Sequence, residues 1–204
     1  MIEKIIFSII SFILFAYVFL FKLVKKNDTS YLIILFLQAV GILINLIRIL
    51  FEVLNDGFSK TIIYLLSIII PSIILIMELK GINIGEYIQI AFAKIYLLID
   101  NKKSAKNVLI KLISQYDNSY IGHKMLAQIY EEEGGMRKAI DEYVKALDIK
   151  QNDYKTYFKI SILLYKLSRK DEAIHMLKTL VKNKPELYEA NHMLRRVIIR
   201  KRKF

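Results

Sequence analysis

The chain has no cysteine, only two prolines and only seven glycines among its 204 residues. Without a thiol there can be no disulfide, no thiolate nucleophile, no cysteine-ligated zinc and no iron–sulfur cluster. The shortage of proline and glycine argues against a long disordered tail and against a turn-rich all-β fold. Acidic residues are in deficit too: 19 Asp and Glu face 31 Lys and Arg, a formal net charge of +12. A chain so basic should be hydrophilic, yet 55% of its residues are hydrophobic, above the usual share for a soluble domain. Dividing the sequence resolves the conflict. Residues 1–79 carry Lys4, Lys22, Lys25, Lys26, Arg48 and Lys60 against Glu3, Asp28, Glu52, Asp56 and Glu78, a net +1, so residues 80–204 hold the remaining +11. The front part is membrane-like and the rest is soluble and basic.

Three apolar runs occupy the front part, at residues 5–24, 31–51 and 61–79. The first, IIFSIISFILFAYVFLFKLV, has one charge, Lys22, near its end. At 1.5 Å per residue each run matches the roughly 30 Å hydrocarbon core of a bilayer. A cleaved signal peptide is the competing reading of the first run. Its apolar stretch is too long for that, Glu3 and Lys4 balance ahead of it, and no small-x-small site follows. Orientation follows from the lysines and arginines. Lys22, Lys25 and Lys26 crowd the first loop against Asp28, whereas the second loop has Glu52 and Asp56 against Lys60. The first loop is therefore predicted to stay in the cytoplasm. Three spans then put the N-terminus outside and the C-terminal domain inside, in a multi-pass protein of the cell membrane.

Gln38, Gly41, Asn45, Arg48 and Glu52 fall on one face of the second span, spaced 3, 4, 3 and 4. Lipid cannot hydrogen-bond such groups, so this stripe is predicted to face other helices. It reads as a packing seam within a three-helix bundle or a homo-oligomer; the sharper reading is a path for a small ligand or ion. Glu3 or Glu52 are the expected partners of Arg48, and Lys22 or Lys25 those of Glu78. Pro71, which removes a backbone donor, should kink the third span. The spans contain no His or Asp pair that would support a proton relay.

Residues 86–204 match themselves at a shift of 34 without a gap, in units 86–119, 120–153 and 154–187; residues 188–204 have room for one more helix, and 80–85 form a linker. Ala105, Ala139 and Ala173 recur at that spacing, as do Ala93, Ala127 and Ser161. The larger residues follow suit: Phe92, Leu126 and Ile160; Tyr96, Tyr130 and Leu164; Leu109, Tyr143 and Leu177. Within each unit the apolar positions trace two helices, parted by Asp100-Asn101-Lys102, Gly134-Gly135 or Ser168-Arg169-Lys170. Pro185 ends the last full unit. This pattern resembles the tetratricopeptide repeat (TPR) family, which keeps small residues where paired helices cross and large ones around them. The chain departs from it at the usual early Trp, replaced by Gln89, His123 and Tyr157, and at the closing Pro, present only as Pro185. The predicted fold class is all-α: three transmembrane helices followed by a TPR-like α-solenoid of three helix pairs and a capping helix.

The resemblance implies a scaffold that binds a protein or peptide in a groove lined by the first helix of each pair. By that analogy the groove presents Tyr87, Ile90 and Lys94, then Lys124 and Gln128, then Lys155, Phe158, Ile162 and Tyr165, then His192 and Arg196. An aromatic and basic surface of this kind suits a segment with acidic groups. The family variant that clamps a C-terminal carboxylate pairs Lys with Asn; this chain lacks the asparagines, so that ligand is not expected. The basic tail (Arg195, Arg196, Arg200, Lys201, Arg202, Lys203) reads first as a solvated helix end favourable for the helix dipole. Contact with an anionic inner leaflet is the next reading, and nucleic acid is disfavoured for want of a recognition motif. Catalysis has little to work with. His123, His175 and His192 lack metal-ligand spacing, Glu131-Glu132-Glu133 reads as a solvated charge run, and no HExxH, phosphate loop or GxSxG occurs. No enzyme activity and no cofactor are expected. The sequence points to a membrane-anchored adaptor, with a transport or envelope-assembly subunit working through the second span as the alternative.

Overall fold

A computed structural model describes residues 2–25, 28–51 and 57–202. The side chains of Glu3, Lys4, Lys26, Glu52, Asp56 and the basic tail from Arg200 onward lie outside the described residues, and with them both expected partners of Arg48. The chain divides into two compact units, Met1–Gln89 and Ile90–Phe204.

In the first unit, α1 (Ile2–Tyr17) continues as a π-helical stretch, Val18–Lys25, and a 3₁₀ turn at Thr29–Tyr31 leads into α2 (Leu32–Phe51). The third long helix is α3 (Gly57–Tyr64), a π-helical segment Leu65–Ile69, and α4 (Ile70–Leu79). By length and composition three helices can cross a membrane: Ile5–Lys25, Thr29–Ile49 and Lys60–Leu79. Their burial is inverted relative to a water-soluble bundle. Phe36 is 67% exposed while Gln38, two residues on, is 0% exposed. Apolar-out and polar-in is the arrangement that a lipid solvent favours.

The seam is built around Gly41. A Cβ there would sit 2.2 Å from Ser67 Oγ, so only glycine lets α2 approach the third helix this closely. Asn45 Nδ2 donates to Ser8 Oγ at 2.8 Å. Gln38, Asn45 and Arg48 are all buried, and both amide atoms of Gln38, Ser67 Oγ, Asn45 Oδ1 and Arg48 Nε have no hydrogen-bond partner among the described residues. Pro71 stands at the start of α4, directly after the π-helical segment. It cannot donate to the carbonyl of Ser67, one turn earlier. Ser11 Oγ donates to that carbonyl instead, at 3.1 Å, and so supplies from another helix the bond that proline forfeits.

At the end of the bundle where α1 gives way to α2, Lys22 forms an ion pair with Glu78, and the Tyr31 hydroxyl donates to the same carboxylate. Lys22 is one of the two partners the charge pattern offers Glu78. The Gly85 backbone N–H donates to Tyr31 Oη at 3.2 Å, Gln89 Nε2 donates to Asp28 at 3.4 Å, and Ile88 packs on Val18, Tyr31, Ile34 and Leu35. The first turns of the next helix are thus tied to the ends of the spans.

That helix, α5 (Ile84–Leu98), pairs with α6 (Lys102–Gln115); α7 (Tyr120–Glu132) pairs with α8 (Met136–Ile149), α9 (Tyr154–Lys166) with α10 (Lys170–Asn183), and α11 (Tyr188–Arg202) follows alone. The 34-residue period is written into the backbone. Asp100, Gly134 and Ser168, 34 apart, all have positive φ, at 55°, 79° and 62°. Each terminates a first helix in the same way: the N–H of Asn101, Gly135 and Arg169 bonds the carbonyl of Tyr96, Tyr130 and Leu164, at 2.8, 2.8 and 2.9 Å. The small residues sit where the helices cross. Ala93, Ala127 and Ser161, like Ala105, Ala139 and Ala173, have no exposed surface, and neither do Leu109, Tyr143 and Leu177 beside them. At the far end Leu177, Leu180, Ala190 and Val197 form the core under α11. Each pair leaves an apolar face that its neighbour covers, which is the condition for stability in a repeat stack.

Candidate partner-binding groove

The residues that sequence reasoning puts on the groove are distributed unequally. Tyr87, Lys94, Lys155, His192 and Arg196 are exposed, although Tyr87 belongs to the first unit. The His192 ring stacks on Tyr188, with centroids 6.0 Å apart. Gln128 and Ile162 are half-buried. Phe158 and Tyr165 spend part of their surface against the core of Leu177, Leu180, Ala190 and Val197. Ile90 must be removed from the groove: it is 5% exposed and packs with Ala93, Ala105 and Leu109, because the helical register turns it inward.

Lys124 is engaged within the domain. Its Nζ lies 2.6 Å from Asp153 Oδ2 and 2.9 Å from Tyr120 Oη, and the Tyr120 hydroxyl donates to the same carboxylate. Asp153 also caps α9, accepting from the Thr156 backbone N–H at 3.4 Å and from its hydroxyl. Burial alone would raise the Asp153 carboxyl. The hydrogen bonds from Lys124, Thr156 and Tyr120 outweigh it and hold that carboxyl well below the usual carboxylate range. The Lys124 ammonium, which burial would lower, is raised overall by Asp153 and Tyr120.

In the Glu131-Glu132-Glu133 run, Glu132 and Glu133 are exposed as expected and Glu131 is half-buried. Glu131 pairs with Lys159 at 3.0 Å, Glu132 with Lys102 at 2.8 Å and Glu133 with Lys106 at 2.6 Å. The Tyr143 hydroxyl, its pKa raised by burial and by this contact, donates to Glu131 at 3.0 Å. Three adjacent carboxylates thus form ion pairs with two other helices, α9 once and α6 twice, and Glu131 also bonds Tyr143 of α8. His123 occupies the position of the family's early Trp and fills it by bonding rather than bulk. Its ring nitrogens lie 2.6 Å from Glu142 Oε2 and 3.1 Å from the Asp117 carbonyl. Among the described residues no group of three or more His, Asp or Glu is placed to hold a metal ion.

Sequence reasoning missed Asp153 and Glu131. A signal for Asp153 was present: Ser119 and Asp153, 34 apart, each precede a tyrosine that opens a unit, and each caps the helix that follows. Glu131 bonds Lys159 and Tyr143, 28 and 12 residues away, which no local pattern announces.

A family model for the tetratricopeptide repeat matches residues 125–153, from the middle of α7 to the cap of α9. Together with three helix pairs at a 34-residue period, this decides the fold. The C-terminal domain has a TPR-like fold. Among solved structures, a crystal structure of YrrB, described as a TPR protein with an unusual peptide-binding site, shares 17% identity at a TM-score of 0.50. That match covers 56% of this chain and 59% of YrrB, so the chain corresponds to about three-fifths of that protein's length. A crystal structure of MamA matches at 17% identity and a TM-score of 0.52, over 62% of this chain and 72% of MamA. At such identities the TPR likeness concerns the fold. No curated protein matches the chain in sequence.

Proposed function

We propose that the protein is a membrane-anchored scaffold that holds a partner protein, through an acidic segment, on the first-helix face of its cytoplasmic TPR domain. The observation that carries this reading is the combination in one chain of three lipid-compatible helices with a TPR stack whose first helices expose Lys94, Lys155 and Arg196. The description of YrrB as a peptide binder supports it by analogy of fold. Anchoring restricts the partner search to the membrane surface, so a modest groove acts at high effective concentration. Lys124 and Lys159, already neutralised by Asp153 and Glu131, shape the groove, while the exposed cations supply its attraction.

The test is site-specific photocrosslinking in native membranes. A photoreactive residue at Lys94, Lys155 or Arg196 should capture one partner, and the same residue at Lys111 or Lys178, on second helices, should not. Equal capture from both helix sets would overturn the groove. A second reading, a transport or envelope-assembly subunit acting through the second span, is favoured by the unpartnered amide of Gln38. It would be preferred if Gln38→Leu with Asn45→Leu abolished activity while crosslinking from Lys155 persisted.

A further inference from the structure

A repeat stack has one end that no preceding repeat covers, and such ends are ordinarily polar. Helix α5 forms that end, and its outer face is not polar. Ala91, Lys94, Ile95, Leu98 and Ile99 fall at helical spacings that place them on one stripe. Ile95, Leu98 and Ile99 are 52%, 85% and 65% exposed. One repeat later, the counterpart of Ile95 is Ile129, and two repeats later it is Leu163, each 1% exposed beneath the preceding helix pair. The counterparts of Leu98 and Ile99 are Glu132 and Glu133, then Lys166 and Leu167. The first repeat thus carries aliphatic side chains where the inner repeats carry mostly charge. The missing neighbour exposes Ile95, but it does not account for an apolar Leu98 or Ile99.

Two observations identify what covers the stripe. Helix α5 starts at Ile84, shortly after the third span ends at Leu79, and its first turns are held to the ends of the spans by Gly85, Ile88 and Gln89. Along the chain the stripe begins at Ala91, about a dozen residues after Leu79. Its one charge is the cation Lys94, with Lys80 before it and Lys103 after it; an aliphatic face with lysines at its margin is the composition of a helix that lies in the headgroup–acyl boundary.

We propose that α5 is a second, interfacial contact with the membrane. Ile95, Leu98 and Ile99 rest in the lipid surface on the side where the third span emerges, and Lys80 and Lys103 at the margins meet anionic headgroups. This inference rests on the reading of the three apolar helices as membrane spans.

Because the chain has no cysteine, single nitroxide labels test it cleanly on the full-length protein. The labelled variants are Leu98→Cys, Ile95→Cys, Phe36→Cys on the lipid-facing side of α2, and Lys178→Cys on α10. Each is reconstituted in vesicles of phosphatidylcholine and phosphatidylglycerol, and collision with oxygen is compared with collision with a water-soluble nickel chelate. Labels at 95 and 98 should shift towards the oxygen-favoured value at 36, and the label at 178 should stay aqueous. Positions 95 and 98 matching 178 while 36 reads lipid would overturn the interfacial contact alone. An aqueous reading at 36 would overturn the membrane assignment beneath it. Shielding of 98 from both reagents, with dipolar broadening between labels on different copies, would also overturn it and assign the face to a second copy of the chain.

Discussion

Asp153 is the most informative single residue to perturb, because one carboxylate serves two repeats. It accepts hydrogen bonds from Tyr120 and Lys124 on α7 and from Thr156 on α9, and it caps α9. Replacement by alanine removes the cap, worth about 1 kcal/mol, and strands Lys124, whose charge-assisted bond is worth about 1.5–3 kcal/mol. The expected loss is about 3 kcal/mol, or a melting point lower by roughly 10 °C for a domain of this size. The pH dependence has a definite sign. The folded carboxyl titrates below its unfolded value of about 3.9, so its contribution is complete above that value and is lost as pH falls towards the folded one. Circular-dichroism melts of the full chain in detergent, at neutral pH and near pH 3, provide the assay. Asp153→Asn should lower the neutral melting point markedly and the acidic one somewhat less, since near pH 3 only part of the contribution has been lost. A neutral melt indistinguishable from wild type would refute the linkage between the repeats. The same geometry separates two lysines of the groove: Lys124→Ala should cost stability, whereas Lys155→Ala should leave the melt unchanged and weaken partner capture.

Other outcomes follow from particular contacts. Asp100→Gly and Ser168→Gly relieve a left-handed backbone and should each stabilise the domain by up to about 1 kcal/mol, while Gly134→Ala should cost about as much; chemical denaturation reads all three. Ala139 has no exposed surface at the α7–α8 crossing, so Ala139→Asp should cost several kcal/mol as an unpaired buried charge, seen as collapse of the cooperative melt. In the membrane unit, Ser11→Ala removes its bond to the Ser67 carbonyl and should cost about 1 kcal/mol. Pro71→Ala restores an N–H to that carbonyl, so Ser11→Ala should become nearly neutral in its presence, as a double-mutant cycle of bundle unfolding would measure.

Much of the fold was legible because a repeat states its message three times. Alanines 34 apart announced the helix crossings, and the turns at 100, 134 and 168 share one backbone geometry although only one of them is glycine. The polar stripe was legible from lipid chemistry, and Lys22 with Glu78 from charges at the same depth. What escaped has physical reasons. Proline marks a missing donor in sequence, but nothing there says that widening to a π-helix and a serine from another span will absorb it. Glutamates in a row say that the face is solvated, as Glu132 and Glu133 are, but not that packing brings Lys102, Lys106 and Lys159 to them from other helices. Phe158 and Tyr165 could face a ligand or the core by periodicity alone, and it is the lone α11 that draws part of their surface inward.

We propose that the apolar first third pins the repeat stack to the inner face of the cell membrane. Labelling of the Lys178→Cys variant with a membrane-impermeant maleimide measures this directly, since no other thiol competes. Intact cells should leave it unlabelled, and lysis should make it react. Full labelling before lysis would place the domain outside and contradict the claim.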